Sequence, residues 1–273
     1  STVRKLLRAN LSRLWRSKVL WLCASAAFIM SAAFLVNLGI RSDTIYTLDE
    51  AVMQVFPFMP VIYAVFVGMF LGTEYQDGTM RNKIILGHSR REVYLTGFAA
   101  ALVGCLVILL AWALSFAVGV VQFGWFTAPW PHLLVQGAAE VLITAAVAGI
   151  LTLLCTLSSN KAASAVIAIL LMFLLIVMAS SIYNALCEPE FVSFGVYTEN
   201  GVEIGDAEPN PAYVSGVMRE IYEFAVNVLP SGQGILLANE EFDHPVLSIC
   251  ASACIMLLTT VVGTAAFKRK NLK

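Results

Sequence analysis

Chemistry at a protein site needs a nucleophile, a base, a metal cradle or a phosphate loop, and this chain offers few of the parts. None of its 18 glycines is followed by lysine, so it has no G-x-x-x-x-G-K-[ST] loop to hold nucleotide phosphates. It has no C-x-x-C and no H-E-x-x-H spacing, which leaves metal and redox centres without recognised ligand sets. His88 and His132 fall at the edges of apolar stretches, where a hydrated imidazole is the ordinary case. Glu140 stands apart as the one carboxylate inside an apolar stretch, a turn beyond Gln136. A charge near mid-membrane costs roughly 2.5–3.5 kcal/mol on insertion scales, so such a residue faces protein or water. It could carry a proton, touch a substrate or pair with a polar residue of a neighbouring helix; pairing is the expectation.

The elements that would position Glu140 are six apolar stretches, at residues 19–38, 51–72, 93–123, 132–157, 162–183 and 246–267. Each supplies about 20 or more mostly apolar residues, enough to cross ~30 Å of hydrocarbon as a helix. With 59% hydrophobic and 13% charged residues, the composition lies far from the soluble average of about half apolar and a quarter charged. The fold class expected is all-α, polytopic, with six transmembrane helices in one domain over 1–273. The first stretch has a long basic leader and exceeds the 7–15 apolar residues of a cleavable signal, so it is expected to be retained.

Charge then orients the chain. Fifteen of 17 Lys and Arg residues fall on the connections between spans two and three and between spans four and five and on the two tails, while the other face holds Arg41, Arg219 and 14 of the 18 carboxylates. Under the positive-inside rule both termini are cytoplasmic. The net charge of −1 conceals these opposed faces. Basic residues beside spans read as topology signals and headgroup contacts, which argues against nucleic acid as a partner. Five cysteines lie within spans and Cys187 stands alone outside; a Cys187–Cys250 bridge is open beside the plainer reading of small packing residues.

Local signals mark the joints. In residues 1–18, Val3, Leu7, Leu11 and Leu14 recur at helical spacing beside Arg4, Arg8 and Arg16, the pattern of a helix lying in the membrane interface. Thr47 with Glu50 and Ser89 with Glu92 fit capping boxes, and Asp243-His-Pro245 offers a cap for the sixth span. Pro57 and Pro60 remove backbone donors within the second span and predict a kink or unwound turn; lining of a pathway and simple packing both stay open. The connection 184–245 is acidic and turn-rich at first. Tyr213, Val217, Ile221, Phe224 and Val228 then suggest a helix ending near Pro230-Ser-Gly232, followed by a short apolar piece at 234–238. Two short helices dipping into the outer membrane face, or a small cap outside it, would account for this.

The inner connection at 73–92 contains Glu74, Gly78-Thr79, Arg81-Asn82 and Gly87-x-Ser89-Arg90. That pattern resembles the cytoplasmic loop of ABC type-2 transporter permeases. The likeness extends over the chain, through a basic amphipathic leader, six spans, a long loop before the last, and the tail Phe267-Lys-Arg-Lys-Asn-Leu-Lys273. The resemblance implies a catalytically silent permease subunit that works as a dimer, with each half docked on a cytoplasmic ABC ATPase carrying Mg-ATP. It implies coupling to that ATPase through Glu74, Gly78, Thr79, Arg81, Asn82, Ser89 and Arg90. It also implies re-entrant helices before the last span that close the outer gate, and a path beside spans two and five. No cofactor is expected on the chain itself. The expected function is export of an amphipathic or hydrophobic compound, such as an antimicrobial or toxin peptide. The alternatives are a self-contained proton-coupled transporter using Glu140 and a membrane-embedded enzyme or sensor; the latter lacks a convergent nucleophile, base and metal set.

Overall fold

Two capping boxes fix where the second and third spans begin. Glu50 Oε2 accepts from the Thr47 amide at 2.8 Å while Thr47 Oγ1 accepts from the Glu50 amide, and Ser89 with Glu92 repeats the exchange. These satisfy amides that a helix start otherwise leaves without partners. The computed structural model describes residues 2–41, 46–158, 160–193, 195–198, 201–204 and 206–270. The last three residues of the tail motif lie outside them.

The order is α1 (Thr2–Trp15), α2 (Lys18–Arg41), α3 (Leu48–Met53), a 3-10 turn (Phe56–Phe58), α4 (Met59–Gln76), α5 (Thr79–Ile85), α6 (Arg90–Leu114) and α7 (Phe116–Phe123). Then follow α8 (Trp130–Leu157), α9 (Lys161–Cys187), α10 (Gly216–Val228), α11 (Pro230–Ala238) and α12 (Pro245–Arg269). Among the described residues, six helical segments are long and apolar enough to cross a membrane: Lys18–Arg41, Leu48–Gln76, Arg90–Phe123, Trp130–Leu157, Lys161–Cys187 and Pro245–Arg269. The chain is an all-α polytopic membrane protein. Its second span is broken around Pro57 and Pro60 into α3, the 3-10 turn and α4, as missing amide donors dictate.

The second and fourth spans are the most enclosed, and α4 and α8 carry much of the core. Met53, Phe56, Met59, Phe66 and Phe70 pack inside it, whereas Phe58 is exposed. The acidic connection forms two small antiparallel pairs, Phe191–Val192 (β1) with Glu208–Pro209 (β4) and Gly195–Thr198 (β2) with Gly201–Ile204 (β3). After α10, α11 starts at Pro230 instead of following Gly232, because proline at the first helical position gives up an amide that has no partner there anyway. At the sixth span the cap position falls to His244, and Asp243 makes no cap bond. All six cysteines are free.

Spans two and five meet through Gly68 and Gly72, a G-x-x-x-G pair on α4 facing α9. A Cβ at Gly68 would lie 2.7 Å from Ala165 Cα, and one at Gly72 would lie 2.9 Å from Lys161 Cα. Such small-residue seams let two backbones approach where hydrophobicity alone gives no drive between helices. Gly68→Leu is expected to force α4 and α9 apart at a cost of about 1–3 kcal/mol or more. Resistance to unfolding by SDS in mixed micelles measures this, and resistance equal to the parent would contradict the seam.

Candidate functional site

At the basic end of the molecule, α5 is a seven-residue helix between α4 and α6. Gly78 precedes it with φ 64°, a left-handed backbone that glycine adopts without Cβ strain, and Thr79 is its first residue. The interior of this end is an ion cluster. Glu74 is 1% exposed, and its Oε1 lies 2.6 Å from Arg13 Nη2 and 2.7 Å from Lys83 Nζ. Lys83 also donates to the buried Asn10 Oδ1 at 2.8 Å, and the Arg13 guanidinium sits 4.1 Å from the centre of the Phe70 ring. One carboxylate thereby ties together α1, the end of α4 and α5. Burial pushes Arg13 and Lys83 below their ordinary ranges, and the charge of Glu74 works against that shift.

A second set of contacts closes the same end. Arg90 Nη1 donates to the carbonyls of Phe267, Lys268 and Lys270, which finish α12. Lys270 Nζ donates to the carbonyls of Thr156 and Ser158 at 2.8 Å, capping α8, and lies over the Tyr75 ring. Cations at these positions satisfy carbonyls that a helix end leaves open. Burial pushes the Lys270 ammonium down to about 8.

The expected coupling residues therefore separate into two kinds. Glu74 faces inward, Arg90 holds the end of α12, and Ser89 is spent on its cap. Arg81 and Asn82 stay on the surface of α5. Beside them Ile85 and Leu86 are 70% and 78% exposed, two aliphatic side chains at the tip of a helix braced from beneath.

Glu140 is 8% exposed on α8, and among the described residues it has neither an ion pair nor a hydrogen bond. The polar partner expected for it is not there. One turn on, Thr144 Oγ1 and Tyr63 Oη lie 3.3 Å apart and link α8 to α4. Pro57 is buried, and with Phe58 it borders a recess of about 320 Å³ lined also by Gln54, Ser180, Tyr183 and Asn239. Pro60 is buried in the first turn of α4 and does not border that recess.

The floor of this region is α11, whose nine residues are all buried. Gln233 anchors it: Nε2 donates to the carbonyls of Asn227 (2.9 Å), Val228 (3.2 Å) and Ser248 (3.1 Å), and Oε1 accepts from the Ser252 hydroxyl at 2.8 Å. Gln54 Nε2 donates to Ala238 O at 2.9 Å and joins α11 to the broken second span. Gly232 allows the tight turn, since a Cβ there would lie 2.3 Å from the Val226 carbonyl oxygen.

Sequence reasoning missed Asn10, Arg13, Gln233 and the Gly68–Gly72 seam. The G-x-x-x-G spacing in an apolar run was a readable signal for the last. A polar residue on the apolar side of an amphipathic helix, as Asn10 is, was a weaker one. Among the described residues no group of three or more His, Cys, Asp or Glu could hold a metal ion. In comparisons with known proteins, the sequence model of a family described as ABC-2 family transporter protein matches residues 6–177, well over half of the chain. That stretch includes α5 and Glu140 and ends before α10, α11 and α12. No curated protein matches the chain.

Proposed function

The chain belongs to the ABC-2 family of transporter proteins, and from that premise we propose that it is the membrane subunit of an ATP-driven exporter. Members of the family are transport subunits and not enzymes, and this chain is a multi-pass permease of that kind. In the proposed assembly two copies pair, and each docks on a cytoplasmic ATPase that binds Mg-ATP. The basic end with both termini faces the cytoplasm, α1 lies in the inner interface, and α10 and α11 re-enter from the outer face. The cargo is an amphipathic or hydrophobic compound, with a toxin or antimicrobial peptide as the leading class. It leaves past the recess at Pro57 and Phe58 when α11 shifts.

The observation that carries this reading is the exposed tip of α5 above a buried ion cluster. Arg81, Asn82, Ile85 and Leu86 offer a small mixed surface, polar at one side and aliphatic at the other, suited to a reversible protein contact. Gly78 and Thr79 set the angle of α5, while Glu74 and Arg90 pass its displacement to α1, α4 and α12. A motion of the ATPase thus reaches four helices at once.

The test is the double variant Ile85→Asp with Leu86→Asp. Burying an aliphatic side chain of this size contributes about 1.5–3 kcal/mol, so charge in both places is expected to weaken docking at least tenfold. The fold is expected to persist because both positions face solvent. Co-purification of the ATPase and substrate-stimulated ATP hydrolysis in vesicles are the measurements. Normal docking and stimulation in the double variant, or no ATPase retained by the parent chain, would sink the reading.

A further inference from the structure

We propose that the groove between the start of α6 and the end of α12 is a binding site for an anionic phospholipid. The groove has a volume of about 430 Å³. Arg91, Lys268 and Arg269 line one end of it, and Leu95, Val261 and Ala265 line its length. Five cations gather where these two helices meet, and the structure uses two of them internally. Arg90 is spent on carbonyls of α12 and Lys270 on carbonyls of α8. The other three border the groove, and among the described residues none of them forms an ion pair.

Three like charges held together without a counter-charge repel one another. The Arg90 clamp keeps them together by fixing the last turn of α12 against the first turn of α6. Lys268 and Arg269 gain something from the negative end of their own helix, but Arg91 sits in a first turn, where the helix dipole opposes a cation. Among the described residues no carboxylate lines the groove to relieve it. A phosphate-bearing headgroup at this end would do so.

The apolar wall selects a lipid over a free anion. Val261 lies about two turns from Arg269 along α12, on the membrane side, so the groove descends from headgroup depth to acyl-chain depth. A soluble phosphate would use the cations and leave Leu95, Val261 and Ala265 uncovered. The site lies outside the recess at Pro57 and the tip of α5, so its occupant is a bound lipid and not the cargo.

The full-length protein in nanodiscs of equal phosphatidylglycerol and phosphatidylcholine provides the test, with lipids retained after extraction counted by native mass spectrometry. The parent is expected to retain phosphatidylglycerol preferentially. Each surface cation strengthens anionic-lipid binding about fivefold, so Arg91→Gln, Lys268→Gln and Arg269→Gln together should lower that preference at least tenfold. Ala265→Trp, and separately Leu95→Trp, fill the groove without altering charge and should lower it as well. Glycerol phosphate, which has the headgroup phosphate and no chains, should not displace the lipid. Helical circular dichroism and a single size-exclusion peak confirm that each variant is folded. An unchanged preference in the triple variant overturns the site. An unchanged preference in both folded groove-filling variants reduces it to diffuse headgroup attraction, and displacement by glycerol phosphate makes it an anion site instead. None of these readouts involves ATPase docking, so failure here leaves the permease reading standing.

Discussion

Glu74→Ala is expected to destabilise the protein by about 3–5 kcal/mol, the range for removing one partner of a buried ion pair. The loss is large because Arg13 and Lys83 share the same Glu74 oxygen, so one substitution strands two cations, Lys83 largely buried and Arg13 about a third exposed. Lys83→Met is the informative contrast. It removes one cation and leaves Glu74 paired with Arg13, so its cost should be clearly smaller. The unfolding midpoint in detergent measures both, and Glu74→Ala matching the parent would show that the cluster contributes nothing. Function should respond more sharply than the fold. With α5 no longer tied to α1 and α4, ATP hydrolysis is expected to lose its response to substrate even in molecules that remain assembled. Charge reversal across this loop therefore does not test docking cleanly, because Glu74 and Lys83 hold the scaffold from within; Ile85 and Leu86 are the positions that do.

Gln233→Glu is expected to unseat α11. The change keeps size and shape but replaces an NH2 group with an oxygen facing three carbonyl oxygens. Each buried polar group left without a partner costs about 1–3 kcal/mol, and repulsion adds to that here. Gln233→Leu loses the bonds without adding the repulsion and should fall between parent and Gln233→Glu. A reporter cysteine at Leu236, buried in the parent, measures the outcome in a background lacking the six native cysteines. Its reaction with a hydrophilic thiol reagent should be slow in the parent and fast in Gln233→Glu. Under the permease reading, vesicles carrying this variant should also leak a small polar dye without ATP. Equal thiol protection in the two proteins would remove Gln233 as the anchor of α11.

Much of the architecture was legible because it depends on short-range chemistry. The six spans follow from apolar run length, since hydrocarbon about 30 Å thick demands about 20 residues of helix. Thr47 with Glu50 and Ser89 with Glu92 announce helix starts within four residues of chain, and Pro57 with Pro60 announces the break. Pro230 marks both the end of α10 at Val228 and the start of α11.

What only the tertiary structure decided is which polar groups meet across long separations. Lys83 meets Asn10 and Arg90 meets the end of α12, pairings that no local pattern encodes. Glu74 reads as an exposed coupling charge along the chain, yet lies buried, because α1 folds back to bring Arg13 over it. Glu140 carries the opposite lesson: among the described residues it has no polar partner, while Thr144 one turn on lies within hydrogen-bond distance of Tyr63 from α4. Apolar length and caps act within one helix and survive any arrangement of its neighbours. Ion pairs, close glycine seams and buried amides such as Gln233 are satisfied only by what another helix presents, so their roles appear once the helices are packed.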